Sequence, residues 1–249
     1  MRPSSSSSER RPRRFYKQVE VAPEGGGFTL LLDGRGAKTP GGAALRLPAL
    51  GLAELVAAEW DAQSEQIDLS AMPANRLAST VIDRTAAAGA AVAAEVARYA
   101  GSDVLCYFAE APASLVEAQV ARWGPLLDWA RDSLGVELHR VAGVAPRPQP
   151  REALGRVEAL VAGLEPFTQA GVAFVTPLFG SAILALALHH GQLHADAAFD
   201  LSRLEQAYQE ERWGVDAEAA ERTTRQREEA RMVGRWFEAL AGRADDSVV

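Results

Sequence analysis

Hydrophobic and polar residues change their spacing near residue 50, and this change divides the sequence into two patterns. Before it, residues 15–21 alternate in part and residues 28–32 form a short apolar block, as strands do. Asp33 and Gly34 predict a tight hairpin turn, because glycine accepts a positive φ without steric cost. We therefore expect strands over residues 15–21, 28–32, 35–39 and 44–47.

From Leu50 onward the apolar spacing is helical. We expect the first helix to end near Gln63 and to carry on one face Leu52, Leu55, Val56, Glu59 and Trp60. A second short helix is predicted over residues 76–82. The alanine-rich residues 85–94 then mark a domain boundary.

The apolar positions between residues 116 and 134 predict a long buried helix face. They recur at spacings of 4, 3, 4, 3 and 4 residues and are Val116, Val120, Trp123, Leu127, Ala130 and Leu134. Pro125 lies inside this pattern, so we expect a kink or a restart of the helix there. The almost wholly apolar residues 172–188 predict one helix, buried at the centre of a bundle and continuing to Gly191. This run is short for a membrane span, which needs about 20 residues.

The last two predicted helices have little apolar surface. Asp196 suits the N-cap of a helix that ends near Arg212, and Asp216 suits the N-cap of one that ends near Ala241. Residues 217–231 are nearly all polar or alanine, and a helix that is polar on every side is either solvent-bridging or completed by another molecule. Residues 204–214 place Glu, Tyr, Gln and Trp close together without a metal set, nucleophile or phosphate loop, which favours binding of a protein surface over catalysis.

Together these patterns predict an α+β fold in two domains. A small N-terminal β-rich α/β domain over residues 15–85 is expected to follow a disordered tail over residues 1–14. A larger C-terminal domain over residues 86–245 is expected to be an all-helical orthogonal bundle.

Charge and cysteine content restrict the partners and the compartment. The net charge is −7, although the first 14 residues hold five arginines and one glutamate. An acidic body disfavours nucleic acid and anionic lipid as partners, and we expect no membrane insertion. The single Cys106 excludes an intrachain disulfide and favours a reducing compartment. We expect a bacterial cytoplasmic protein; because the Ser/Arg-rich tail faintly resembles a transit peptide, the mitochondrial matrix is the alternative.

Three histidines form the one candidate catalytic or metal cluster. His190 and His194 have the i, i+4 spacing that can place two imidazoles on one metal, and His189 is adjacent. However, Gly191 interrupts the helix between them, and the sequence holds no P-loop, dinucleotide fingerprint or nucleophile elbow. A small-molecule or metal-dependent enzyme that uses these histidines is therefore the alternative function, and we expect no cofactor. Cys106, in an apolar setting, is expected to be a buried, inert thiol.

Short sequence pieces, in conserved order over most of the chain, resemble the ATP-twelve family of chaperones that assemble the catalytic head of the F-type ATP synthase. The resemblance begins at Phe15-Tyr16-Lys17 and ends at Trp213-Gly214. The pieces between are Lys38-Thr39-Pro40, Glu59-Trp60-Asp61-Ala62-Gln63, Asn75-Arg76-Leu77-Ala78, Ile82-Asp83, Ser102-Asp103-Val104-Leu105-Cys106-Tyr107, Trp123-Gly124-Pro125, Asp128-Trp129-Ala130, Gly180-Ser181, Leu204-Glu205 and Tyr208-Gln209. The chain departs from the family pattern at Ser79 and at Glu210-Glu211, which replaces a more apolar pair.

The resemblance implies a chaperone without enzymatic activity that binds the unassembled alpha subunit on the surface that later faces the beta subunit. It also implies that the functionally critical glutamate of the family is Glu205 and that its sensitive tryptophan is Trp60. We expect the partner-binding residues to be Glu205, Tyr208, Gln209, Trp213, Trp60 and Asp61. The free protein is expected to be a monomer.

Overall fold

The computed structural model describes residues 12–84, 88–143 and 147–242. The described residues form two compact units, one ending at Asp83 and the other running from Arg84 to Ala241. Most of the expected disordered tail and the end of the expected C-terminal domain lie outside the described residues. Residues 12–14, which we had assigned to that tail, pair with residues 65–67: Arg14 N–H donates to Glu65, and Ile67 N–H donates to Pro12.

The first unit contains a small antiparallel sheet. The strands are β1 (Val19–Glu24), β2 (Gly27–Leu32), β3 (Arg35–Gly36) and β4 (Arg46–Leu47). β2 pairs with each of the other three. The hairpin turn between β2 and β3 is confirmed, with positive φ at Asp33 (50°) and Gly34 (75°). The first strand begins four residues later than residue 15, and the return strand is shorter than expected.

Two helices complete the first unit. α1 (Leu50–Asp61) packs against β1 and β2 and buries Leu52, Val56 and Trp60. A 3-10 turn (Leu69–Ala71) precedes α2 (Pro73–Asp83). α2 begins three residues before the predicted residue 76, because proline is well suited to the first helical position, where its missing N–H is not needed.

The second unit consists mainly of helices. They are α3 (Gly89–Ala100), α4 (Ala113–Trp129), α5 (Arg151–Ala162), α6 (Pro166–Phe179), α7 (Ala182–His189), α8 (Ala195–Ser202), α9 (Leu204–Trp213) and α10 (Ala217–Leu240). A π-helical turn (Ala130–Leu134) extends α4. Two short parallel strands, β5 (Tyr107–Phe108) and β6 (Val141–Ala142), lie among the helices. The α+β class is thus confirmed, and the expectation that this unit is purely helical was wrong at these two strands.

The apolar residues 172–188 belong to two helices, which corrects the prediction of one. Gly180 ends α6 with φ 61°, and the Ser181 hydroxyl accepts a hydrogen bond of 2.9 Å from Leu184 N–H at the start of α7. Positive φ at a glycine and a serine cap are ordinary means of ending one helix and starting another. Among the described helices, none is long and apolar enough to cross a membrane.

The predicted buried face of α4 was wrong at its N-terminal half. Leu115, Gln119 and Trp123 are buried there, whereas Val120 is 54% exposed. Gln119 is tolerated inside because its side-chain oxygen accepts a 2.7 Å hydrogen bond from Ala109 N–H. The prediction counted only apolar residues and so passed over Gln119. It therefore assigned Val116 and Val120 to the buried face, whereas the buried residues, Leu115 and Gln119, each lie one position earlier. Pro125 lies inside α4 without a restart.

The helix predicted from Asp196 to Arg212 is two helices, α8 and α9, which meet at Arg203. His194 occupies the N-cap position of α8, and Asp196 lies in its first turn. There Asp196 accepts hydrogen bonds from Arg227 and Arg231 of α10 instead of capping the helix. The Asp216 cap of α10 is confirmed, since its carboxylate accepts a 2.8 Å hydrogen bond from Ala219 N–H.

Candidate functional site

α9 is attached to the second unit by little apolar contact. Of its ten residues only Leu204 is buried. Glu205, Gln206 and Gln209 are exposed, and the Gln209 amide donates a 3.4 Å hydrogen bond to the Glu205 carboxylate. Because a ten-residue helix is marginal in water without packing, tertiary contacts must hold α9 in place.

Tyr208 provides one of these contacts. Its hydroxyl lies 2.6 Å from the Ser114 hydroxyl of α4, and either oxygen can be the donor. The Arg212 guanidinium lies 3.4 Å from the centroid of the Tyr208 ring, and the same side chain donates to the Tyr208 carbonyl at 3.1 Å. Tyr208 therefore joins α9 to α4 while one face of its ring holds a cation.

Arg203 links the start of α9 to the neighbouring helix. Its guanidinium forms an ion pair of 2.8 Å with Glu210 and donates to the Thr223 hydroxyl of α10. Gln206 also donates to Glu210, at 3.0 Å. The half-buried Glu210 carboxylate is thus bound by Arg203 and Gln206, while Glu211 is exposed.

Trp213 ends α9 on the surface. Its side chain is 77% exposed, and Val215, two residues further, is 51% exposed. Gly214 between them has φ 81° and ψ 173°, which ends the helix before Asp216 starts α10. Glu205, Tyr208, Gln209 and Trp213 therefore lie together on α9, in the second unit.

Trp60 and Asp61 lie in the first unit, at the end of α1. Trp60 is only 8% exposed, and its indole N–H donates a 3.0 Å hydrogen bond to Asn75. The Tyr16 hydroxyl donates to the Trp60 carbonyl at 2.7 Å, and the two rings meet edge to face with centroids 5.6 Å apart. In the free protein, Trp60 therefore supports the end of α1 from inside.

Sequence reasoning missed the segment that covers this end of α1. The Arg14 guanidinium donates to the carbonyls of Asp61 and Gln63 and forms an ion pair of 3.3 Å with the exposed Asp61 carboxylate. Phe15, beside it, is 70% exposed, and its ring contacts Tyr16 at a centroid distance of 5.3 Å. The sequence shows only a run of arginines before residue 15. It does not indicate that Arg14 donates hydrogen bonds to two backbone carbonyls at the end of α1.

Several quoted sequence pieces have structural roles. The Glu59 carboxylate accepts hydrogen bonds of 2.8 Å from the N–H groups of Ala74 and Asn75 at the start of α2. Asp83 accepts from the Thr39 hydroxyl at 2.5 Å and from Gly41 N–H at 3.0 Å. Glu59 thus joins α1 to α2, and Asp83 joins α2 to the segment between β3 and β4.

Asp103 is a carboxylate enclosed within the second unit. It accepts hydrogen bonds of 3.1 Å from the N–H groups of Leu105 and Ile183. Burial raises the pKa of Asp103 to about 6, and the hydrogen bonds oppose that shift. Asp103 thus joins the turn after α3 to the start of α7. Burial also raises the pKa of the nearby Cys106 thiol, which leaves it protonated and unreactive.

The histidines do not form a metal site with one another. The rings of His189 and His190 lie 4.8 Å apart, while His194 occupies the N-cap position of α8. Burial lowers the pKa of His189 to about 4, and desolvation lowers that of His190. Within residues 12–84, 88–143 and 147–242, no three His, Cys, Asp or Glu residues are placed to hold a metal ion. The geometry therefore gives no support to the alternative function.

Known proteins with the same fold and related sequences identify the family. The family described as ATP12 chaperone protein matches residues 13–131. The crystal structure of Atp12 from Paracoccus denitrificans is 41% identical, with a TM-score of 0.86, and the match covers 92% of this chain and 98% of that one. The chain belongs to the ATP12 chaperone family.

Two further matches support this assignment. A point mutant of the Paracoccus protein has the same identity and TM-score, over 92% of this chain and 97% of that one. Protein atp12, mitochondrial, of Schizosaccharomyces pombe is 28% identical over 221 residues, which are 84% of this chain and 76% of that protein. The chain is thus similar to both a bacterial and a mitochondrial protein, and membership of a chaperone family indicates a role other than catalysis.

Proposed function

We propose that this ATP12-family protein binds the unassembled alpha subunit of the F-type ATP synthase and covers the surface that later faces the beta subunit. The observation that supports this most directly is α9, which buries only Leu204 and presents Glu205 to solvent. A helix so lightly packed in a chaperone has surface left for a client. The client is released when the beta subunit competes for the same surface, without nucleotide hydrolysis by the chaperone.

Mass action explains how such binding promotes assembly. A ligand that binds the assembly-competent alpha subunit raises the population of that state and lowers the population that can aggregate. No cofactor is needed for this, and the free chaperone is a monomer that binds one client. The bacterial cytoplasm is its proposed location, with the mitochondrial matrix as the alternative.

Glu205 is the proposed centre of the contact. Its exposed carboxylate can accept a charge-assisted hydrogen bond from an arginine of the client, and such bonds are about twice as strong as neutral ones. Gln209 holds the carboxylate from one side, and Tyr208 keeps the helix on α4. Trp60 and Asp61, in the first unit, are a separate part of the proposal: Trp60 supports the end of α1 from inside, and the exposed Asp61 beside it is available to the client.

The test is capture of the alpha subunit by the wild-type chaperone and by Glu205→Lys. We expect the wild type to retain purified alpha subunit on a column and the variant to lose at least about tenfold in affinity, the order expected when a charge-assisted hydrogen bond becomes a charge repulsion. Equal affinity of the two proteins would remove Glu205 from the site.

Glu152→Lys is the matched control. Glu152 is also an exposed acidic residue in the first turn of a helix, α5, so its substitution has the same unfavourable interaction with the helix dipole. We expect this variant to bind as the wild type does, and both variants to keep the wild-type circular dichroism spectrum. Loss of binding in the control as well would mean that added positive charge, and not the position of Glu205, weakens the complex.

A further inference from the structure

The connection between α9 and α10 exposes apolar surface on a corner of fixed geometry. This corner, formed by Trp213, Gly214 and Val215, has both of its apolar side chains more than half exposed. Within the described part of the chain, the Trp213 indole makes no hydrogen bond and no ring contact. Tryptophan carries one of the largest apolar surfaces of any side chain, so leaving it in water is costly unless something covers it.

The corner is held by its neighbours. Gly214 adopts a positive φ that an L side chain rarely takes, and Asp216 caps α10 through Ala219. Trp213 is therefore the last residue of α9, and Val215 directly precedes the N-cap residue of α10. Because a tryptophan side chain has only two torsion angles, ordering it in an interface costs little conformational entropy.

The residues around the corner carry a net negative charge, and two arginines, Arg222 and Arg225, follow them along α10. Residues 205–221 contain six acidic residues and one arginine, Arg212, which lies over the Tyr208 ring. Among the ion pairs of the described residues, none includes Glu211, Glu218 or Glu221.

The second half of α10 is different. There Arg227 and Arg231 neutralise Asp196, Asp200 and Glu228 through four ion pairs, all within 3.1 Å. Acidic side chains are thus in ion pairs where α10 packs on α8, whereas Glu211, Glu218 and Glu221 beside the exposed corner are in none of the ion pairs of the described residues. The unpaired negative charge can be neutralised by a partner.

We infer that the corner inserts Trp213 and Val215 into an apolar pocket of the client, and that lysine or arginine side chains of the client border this pocket and face Glu211 and Glu218. This inference rests on the proposed function and specifies the chemistry of the client surface. A second copy of this chain is a poor occupant, because two acidic corners would repel each other.

Removal of the indole tests the apolar part. We expect Trp213→Ala to weaken binding of purified alpha subunit by about 30-fold, which corresponds to a hot spot of about 2 kcal/mol. Val215→Ser is expected to weaken binding less, in the same direction. Leu69→Ala is the control, since Leu69 is an apolar side chain of the first unit that is 43% exposed, and it should change the affinity by less than about twofold.

Salt dependence tests the charged part. Affinity of the wild type should fall as the NaCl concentration rises, because salt screens exposed charge pairs. The double variant Glu211→Gln/Glu218→Gln should bind more weakly at low salt and depend less on salt. The control double variant Glu117→Gln/Glu158→Gln removes two exposed charges from α4 and α5 and should retain the wild-type salt dependence.

The outcomes separate this inference from the proposed function. If the wild type binds the alpha subunit and Trp213→Ala binds it equally well, the inference is wrong and the proposed function stands. If the wild type does not bind folded alpha subunit at any salt concentration, the proposed function fails and the inference fails with it. A change in the sedimentation of the free chaperone caused by Trp213→Ala would show that the corner binds a second copy, which also contradicts the inference.

Discussion

At the scale of single residues, the pieces of sequence that identify the family serve folding as often as contact. Trp60 donates its indole N–H to Asn75 in the interior, whereas Trp213 points its indole into solvent. Both belong to recognisable pieces of the same family pattern. Sequence resemblance alone could therefore name these tryptophans but could not assign them different roles, because burial depends on the tertiary structure.

The substitution Trp60→Phe tests whether Trp60 stabilises the fold or contacts the client directly. The substitution leaves the side-chain amide oxygen of Asn75 buried without this donor, which costs about 1–3 kcal/mol of stability. We expect a lower urea midpoint for the variant, with client affinity retained under conditions where it is folded. Trp129→Phe, whose indole N–H has no acceptor among the described residues, is the control. Unchanged stability together with lost client affinity would instead place Trp60 in direct contact with the client.

Asp103 gives the stability a pH dependence of predictable sign. Burial raises its pKa from 3.8 to about 6 in the folded protein, so the folded state binds more protons than the unfolded state between these values. The stabilising contribution of this group is therefore fully present below pH 3.8 and is lost as the pH rises through about 6. Urea midpoints measured across this window contain this downward component together with an upward one from His189, whose pKa burial lowers from 6.5 to about 4. A variant that lacks the Asp103 carboxylate therefore isolates the Asp103 component.

Asp103→Asn removes the titration and identifies its source. The variant should lack this component of the slope, and it should be less stable by about 1–3 kcal/mol because an amide nitrogen cannot accept from Leu105 or Ile183 N–H. A variant with the same slope as the wild type would show that another group titrates in this window.

At the scale of elements, local turn chemistry could be predicted and tertiary interruptions of helices could not. The Asp33-Gly34 turn follows from the conformations available to those two residues, and the Asp216 cap follows from its own side chain. The break at Arg203 has no glycine or proline to indicate it. At this break Arg203 contacts Glu210 and Thr223, which lie later in the chain and which no local pattern could indicate.

The candidate site was predictable to a similar degree. The polar composition of residues 204–214 indicated a lightly packed helix, and α9 buries one residue of ten. The attachment of that helix through Ser114, which lies 94 positions before Tyr208, left no trace in the local sequence.

Tyr208→Phe tests whether this attachment holds α9. Loss of the Tyr208–Ser114 hydrogen bond should make the amides of α9 exchange faster with solvent, since few other contacts oppose its opening. Ser114→Ala should give the same increase, and the double variant no further one, because both substitutions remove one interaction. Hydrogen exchange of α7, which is buried, serves as the internal reference. Unchanged exchange in α9 would show that Leu204 and Arg203 suffice to hold it.

At the scale of the whole molecule, burial differs sharply between neighbouring helices of the second unit. The second unit buries α7 almost completely, while α9 and the first half of α10 remain exposed. This distribution suits a protein that must bind firmly enough to protect a client and still release it. We propose that the client is the alpha subunit alone and that the beta subunit displaces the chaperone.

The measurement that tests this claim most directly is column capture of separately expressed alpha and beta subunits by the immobilised full-length chain, without nucleotide. The account predicts that alpha is retained and beta is not, and that beta added afterwards elutes alpha from the column. Failure to retain folded alpha subunit, or equal retention of the beta subunit, would contradict it.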